Sequence, residues 1–360
     1  MALKKRIAYL TGSRADFGQM TLILKEICLH PDFELLLFAT GMHLMKEFGS
    51  TIQDVKSKFD IVEEFPATFT SDDRFSMAKF ISDCVSYSVN AIGRYRTDAV
   101  IILGDRPEAL AFAIAASYNA IPIIHLHGGE NTTTVDDKAR KAITMLADWH
   151  LTASDDSRQQ LISMGISPGR IETVGAPGLD HIRLIPKNNK KEHIVVLQHP
   201  DEQENHSYTQ IETTLRAVIS FNFPVIVIFP NADAGGRAII EMIEKYSGLH
   251  QNINVTKSLT REAFLELLLK AKVLVGNSSC GIIEAPSLGL PVVNIGPRQE
   301  GRLRAPNIID VDYDFVQIKK AIHKSLYDKE FIDSLNGLDN PYGDGYTTPR
   351  VIMFLERIVL

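Results

Sequence analysis

Several short stretches of the chain hold residues whose types and spacing could do chemistry. The most concentrated is IPIIHLHGGENTTTVDD, residues 121–137. Its apolar, β-branched start reads as a strand, and strand alternation would turn His125 and His127 to one face. Gly128 and Gly129 then let the backbone turn or approach a ligand closely. Glu130 follows, and Asp136 and Asp137 open a helical pattern, where a carboxylate is also a good cap. Two imidazoles beside several carboxylates at a strand-to-helix edge suit proton transfer next to an anionic ligand. In GDRPEA, residues 104–109, Asp105 and Arg106 stand where an apolar strand ends and Pro107 starts a helix. That is the ligand side of a parallel sheet, although Asp105 could be only a helix cap.

Four further stretches offer groups for an anion. GNSSCGIIEAPSLG, residues 276–289, ends a strand in Gly276 and Asn277 and leads through Ser278, Ser279 and Gly281 into a helix. Such a turn surrounds an anion with backbone N–H groups and hydroxyls, and Glu284, about one turn on, is placed to accept from a ribose diol. Downstream, Arg298, Arg302 and Arg304 form a guanidinium cluster suited to phosphates or to acidic groups. In HPDEQENH, residues 199–206, His199 follows a strand and could contact phosphate or transfer a proton. Arg14, in GSRADFG, is a further anion contact unless it pairs with Asp16. This stretch is not G-x-G-x-x-G and no acidic ribose partner follows it, which argues against a nicotinamide site. A zinc or manganese site at His125, His127, Glu130 and Asp136 is disfavoured, since H-E-x-x-H is absent and no further histidine lies nearby in a ligand pattern.

The elements that must position these groups alternate. Strand, loop and helix repeat from residue 6 to about 177, with a loop expected at TGSRADFG and helices at 21–30 and about 75–94. PKNNKKE, residues 186–192, then breaks the pattern as a linker, and a second alternation runs from HIVVLQ to PVVNIG. This predicts an α/β protein with two Rossmann-like domains, residues 1–186 and 192–346, whose parallel sheets face a central cleft. The final TTPRVIMFLERIVL is an amphipathic helix, residues 347–360, with a threonine cap, expected to pack back across the domain interface and join the first domain. At 360 residues, 45% hydrophobic and 23% charged, with a net charge of −6 and no basic block, the chain reads as globular and argues against nucleic-acid binding. Three widely spaced cysteines without C-x-x-C indicate neither disulfides nor structural zinc. With no apolar run near the roughly 20 residues of a membrane span, a cytoplasmic protein is expected.

Taken together and in order, GSRAD, GDR, H-x-HGGE with DD and AITML, NADAGG, GNSSCGIIEA, RQEGR and YGDG…PR resemble the hydrolysing UDP-N-acetylglucosamine 2-epimerases of sialic acid synthesis over nearly the whole chain. The resemblance implies a glycosyltransferase-B type fold, the sugar on the first domain and UDP on the second. It implies that Ser278 and Ser279 contact the diphosphate, Glu284 the ribose, and Arg14 reaches in, with Asn231, Asp233, Asn277, Gly281, Arg298 and Arg302 also on the UDP side. Asp105, Glu130 and Asp137 become the acid/base set, with His127 and His199 near the reacting centre and Arg106, His125 and Arg140 binding substrate. UDP elimination to a glycal followed by hydration requires no metal or redox cofactor. The resemblance also implies a homo-oligomer, for which the 75–94 segment is a candidate interface.

Two positions depart from the pattern. Thr133 stands where relatives carry glycine, and Lys141 replaces a histidine after the matching Arg140, four residues beyond Asp137 and able to form a salt bridge with it. These bear on substrate choice, and a hydrolysing 2-epimerase of UDP-N,N'-diacetylbacillosamine, of the legionaminic acid pathway, is the first alternative. A non-hydrolysing epimerase would favour H-x-EAGLR where this chain has HLHGGEN. A glycosyltransferase or a non-catalytic nucleotide-sugar sensor would use the same fold.

Overall fold

The computed structural model describes residues 3–49, 51–69, 71, 73–186, 190–201 and 206–359. It divides into two compact units: Met1–Asn131 with Val135–Arg183 and Tyr342–Leu360, and Leu184–Pro341 with Thr132–Thr134. The division falls after Arg183, slightly ahead of the expected linker, of which residues 187–189 lie outside the described residues.

The first unit runs β1 (Lys5–Thr11), α1 (Arg14–Leu29), β2 (Phe33–Ala39), α2 (Ile52–Lys58), β3 (Glu63–Glu64), α3 (Arg74–Tyr95), β4 (Ala99–Leu103), α4 (Pro107–Tyr118), β5 (Ile123–Leu126), α5 (Val135–Leu146), β6 (Trp149–Thr152), α6 (Asp155–Ser163), β7 (Ile171–Thr173) and α7 (Gly178–Arg183). The strands form one sheet ordered β3-β2-β1-β4-β5-β6-β7, with every pairing parallel. Apolar residues of alternate parity fill its two faces. Ile7, Tyr9, Phe33, Leu37, Ile101 and Ile124 pack under α1, and Ala8, Leu10, Phe38, Val100, Ile102 and Ile123 lie against α3 and α4. The order reverses between β1 and β4, so the C-terminal ends of these strands form the crevice where open α/β sheets bind ligands. Residues 12–16 and 104–108 follow those two ends.

One boundary differs from expectation. GSRADFG is not a loop: α1 begins at Arg14, because Ser13 and Asp16 form a reciprocal capping box, with Ser13 N donating to Asp16 Oδ1 at 2.7 Å.

The second unit runs β8 (His193–Leu197), α8 (Ser207–Ile219), β9 (Val225–Ile228), α9 (Gly236–Leu249), β10 (Ile253–Thr256), α10 (Arg261–Leu269), β11 (Ala271–Gly276), α11 (Ser279–Ile283), β12 (Val292–Ile295), β13 (Ile308–Val311), α12 (Phe315–Tyr327) and α13 (Lys329–Ser334). Its parallel sheet is ordered β10-β9-β8-β11-β12-β13 and reverses between β8 and β11. Those strands approach so closely at Gly276 (φ 137°) that a Cβ there would stand 2.0 Å from Leu197 O. Thr133, in the loop that groups with this unit, donates from Oγ1 to Pro297 O at 2.9 Å.

The last helix, α14 (Thr347–Val359), belongs to the first unit, where Val351, Phe354 and Leu355 join the core under α1. Its cap is not a threonine. Asp180 of α7 accepts from Thr347 N at 2.9 Å and Thr348 N at 2.6 Å, satisfying two of the donors a helix start leaves open. Among the described residues, no helix is long and apolar enough to cross a membrane.

Candidate active site

In the first unit the candidate residues gather around Arg140. This guanidinium, 2% exposed on α5, pairs with the Asp105 carboxylate in the turn after β4 and donates from Nη1 to Glu130 O at 3.0 Å. Burial alone would lower the Arg140 pKa, but Asp105, Glu130, Asp136 and Asp137 together hold it above its ordinary value. Asp136 and Asp137 lie in the first turn of α5, and Lys141 Nζ stands 2.7 Å from Asp137 Oδ2, the expected i,i+4 pair. Asp105, Glu130, Asp137 and Arg140 are thus brought together by two sheet-edge turns and one helix start.

The two histidines do not share a strand face. β5 stops at Leu126, and His127 takes φ +63°, in the left-handed region that side-chain-bearing residues rarely adopt. Its Nδ1 lies 2.7 Å from Glu130 Oε1. Gly129 (φ +84°) completes the turn, and a Cβ there would meet Ser157 O at 2.2 Å. His125 stays within β5 and is fully buried. Its Nε2 donates to Gly104 O at 2.8 Å, since a carbonyl can only accept, and its Nδ1 therefore accepts from Thr144 Oγ1 at 3.2 Å. Burial above all pushes its pKa down to about 3. His125, expected to meet substrate, is buried with both ring nitrogens bonded within the unit, and it ties β5 to the turn carrying Asp105.

Arg14 occupies the first position of α1, half-buried, and burial lowers its pKa to about 10 against the opposing pull of Asp54. Asp16 is engaged elsewhere, accepting from Ser13, from Thr11 Oγ1 at 2.6 Å and from Tyr9 OH at 3.1 Å. Arg106 stands at the position just before α4, its Nε 3.5 Å from Glu108 Oε1. Glu108 is a residue that motif reading overlooks. It is 3% exposed, and its pKa is raised by burial, with Asp16 adding to the effect and Arg106 opposing it. A Cβ at Gly12 would collide with its carboxylate at 2.0 Å. An acidic residue on an otherwise alanine-rich, buried helix was the available signal.

In the second unit His199 and Asn277 meet at the switch between β8 and β11. Asn277, fully buried, accepts from His199 N at 2.7 Å and donates to His199 O at 2.9 Å, so its amide clamps this turn. Asn231 N donates to His199 Nδ1 at 3.0 Å, which places the proton of a neutral ring on Nε2. Tyr313 OH donates to Asp201 Oδ2 at 2.8 Å, and Gln210 Nε2 to the same oxygen at 3.2 Å. Asp201 stands inside HPDEQ, whereas no sequence signal marks Tyr313.

Ser278 is the N-cap of the five-residue α11 and Ser279 its first residue, both partly exposed. Gly281 serves packing, since a Cβ there would meet Val292 Cγ1 at 2.9 Å. Glu284 is buried and ion-paired with Arg261 of α10. Arg298 reaches Asn277 O at 3.3 Å and Asp233 Oδ2 at 3.8 Å, and Arg302 donates to Gln299 Oε1 at 2.9 Å. Arg304 is tied to Asp310 at 2.7 Å. Among the described residues, no three His, Cys, Asp or Glu side chains are grouped to hold a metal ion.

A family model described as UDP-N-acetylglucosamine 2-epimerase matches residues 25–356. The chain belongs to that family. A Legionella pneumophila relative of this epimerase, named UDP-N,N'-diacetylbacillosamine 2-epimerase (hydrolyzing), is 37% identical over 99% of the chain and 97% of its own length. A UDP-N-acetylglucosamine 2-epimerase of Neisseria meningitidis serogroup B is 34% identical over 93% of the chain and 92% of its own length. The fold of the epimerase, two parallel α/β sheets of glycosyltransferase-B type, matches that of S. aureus MnaA solved with UDP, with a TM-score of 0.82, 19% identity and coverage of 99% and 98% of the two chains.

Proposed function

We propose that this epimerase is hydrolysing, converting UDP-N-acetylglucosamine and water to N-acetylmannosamine and UDP for sialic acid synthesis. The observation that carries the reading is the gathering of Asp105, Glu130 and Asp137 around the buried Arg140, with His127 in the adjoining turn. Inversion at C2 by elimination needs a base for the C2 proton, stabilisation of the departing diphosphate, and an acid for the opposite face during hydration. The first unit supplies the carboxylates and imidazole. Ser278, Ser279, Arg298, Arg302 and the Nε2–H of His199 supply donors for the diphosphate, and Asn231, Asp233 and Glu284 are the remaining polar groups toward the nucleotide.

A second reading takes UDP-N,N'-diacetylbacillosamine as the substrate instead, favoured by the name of the relative at 37% identity against 34% for the Neisseria enzyme. Release of UDP from each nucleotide sugar, measured side by side by a coupled assay, tests both readings. UDP-N-acetylglucosamine as the better substrate by kcat/KM supports the first, and preference for the diacetamido sugar supports the second. A UDP-linked epimer as product would contradict hydrolysis.

A further inference from the structure

His127 and Glu130 have a geometry that divides their roles. The His127 backbone is left-handed (φ +63°), its backbone N–H donating to Leu151 O at 3.1 Å and the turn closed by Gly129. Strain of this kind persists only where the surroundings enforce it, and it concentrates at functional sites. The Glu130 backbone is anchored through its carbonyl to Arg140, and its side chain turns back to place Oε1 2.7 Å from His127 Nδ1. Both side chains are more than nine-tenths buried, at 8% and 2% exposed. A carboxylate accepting from Nδ1–H fixes the tautomer and leaves the lone pair on Nε2. That Nε2 is buried and has no hydrogen-bond partner among the described residues.

We propose that His127 Nε2 is the base that removes the C2 proton of the sugar nucleotide, and that Glu130 is its positioning residue. This rests on the elimination chemistry of the preceding section. The Nε2 lone pair takes the proton, the C2–H electron pair becomes the C1=C2 bond, and the C1–O pair leaves with the β-phosphate oxygen of UDP. The products of the step are the glycal, UDP and an imidazolium whose positive charge the Glu130 carboxylate faces.

A double-mutant cycle separates this arrangement from a Glu130 that touches the sugar itself. His127→Ala is expected to lower kcat about 1000-fold and Glu130→Gln about 100-fold, the range of general-base effects, with UDP affinity unchanged by calorimetry. The double variant should fall within a few-fold of His127→Ala, because Glu130 acts through the ring. Loss by the product of the two factors, about 100,000-fold, would overturn the proposal. If His127→Ala does not bind UDP, His127→Asn takes its place in the cycle. Independently of turnover, 15N imidazole NMR of the wild-type protein should show the Nδ1–H tautomer at His127, and an Nε2–H pattern would overturn the dyad. If the wild type releases UDP from neither nucleotide sugar while the Nδ1–H pattern is present, it is the functional reading that fails.

Discussion

His125 Nε2 donates to the Gly104 carbonyl at 2.8 Å, tying the end of β5 to the turn that presents Asp105. Gly104 takes φ +72°, and the bond holds that turn from beneath. His125→Phe keeps the ring's bulk and removes the donor. It should lower kcat at least tenfold while leaving UDP affinity and KM within about threefold, since a displacement of about 1 Å at a reacting group costs on the order of 100-fold. A rise in KM with kcat preserved would instead make His125 a substrate contact.

Arg140 links the Asp105 carboxylate to the Glu130 carbonyl from a position 2% exposed. Removing one partner of a buried pair leaves an uncompensated charge, so Arg140→Met should cost about 3 kcal/mol in denaturant unfolding, near the lower end of the usual range because the Asp105 side chain is 19% exposed. Lysine cannot restore both contacts, being a single point charge without the guanidinium fork. Asp105→Asn and Asp137→Asn should lose turnover and keep UDP binding, and wild-type rates in both would remove them from the mechanism.

Buried imidazoles give the fold an acid limit. Burial pushes His125 down to about 3, with His150, Arg140 and His127 adding to the shift against the Gly104 bond, and pushes His150 to about 4, with Arg170 adding and Asp148 opposing. Both folded values lie below the ordinary 6.5, so the unfolded chain binds protons that the folded chain does not. Their contribution is complete above pH 6.5 and is lost as pH falls toward 4 and then 3. Unfolding free energy should decline below pH 6.5 by at most about 1.4 kcal/mol per pH unit for each ring. Denaturant titrations at pH 6.5, 5.8 and 5.0 that give equal stabilities would contradict this.

The Asp180 cap makes α14 depend on α7. Asp180→Ala removes an acceptor from Thr347 N and Thr348 N and should cost about 1–2 kcal/mol, the upper range for a lost helix cap. Faster amide exchange should appear first in Thr347–Val359, whereas uniform exchange across the first unit would argue against a local cap.

Much of the fold was legible because parallel strands buried on both faces read as short apolar runs and the intervening helices as amphipathic periods. What failed were contacts fixed by distant residues. Ser13-x-x-Asp16 carried a capping signal in plain view, but the Asp180 cap joins residues 167 positions apart and leaves no local trace. The His125 and His127 pairing rested on uninterrupted strand alternation, which ends when His127 turns to positive φ. β13 and α12 lay beyond the second alternation as read, although Asp314 caps α12 and Ile318, Ala321 and Ile322 give it a buried face. Asp105, Glu130, Asp137 and Arg140 were named from motifs, while Glu108, Asp201 and Tyr313 emerged only from burial and hydrogen bonding.

The most direct measurement is incubation with UDP-N-acetylglucosamine in heavy water, followed by proton and phosphorus NMR. Elimination, reprotonation from the opposite face and hydration predict free N-acetylmannosamine carrying deuterium at C2, together with an equal amount of UDP. Free sugar with protium retained at C2, or a UDP-linked sugar as the end product, would contradict the account.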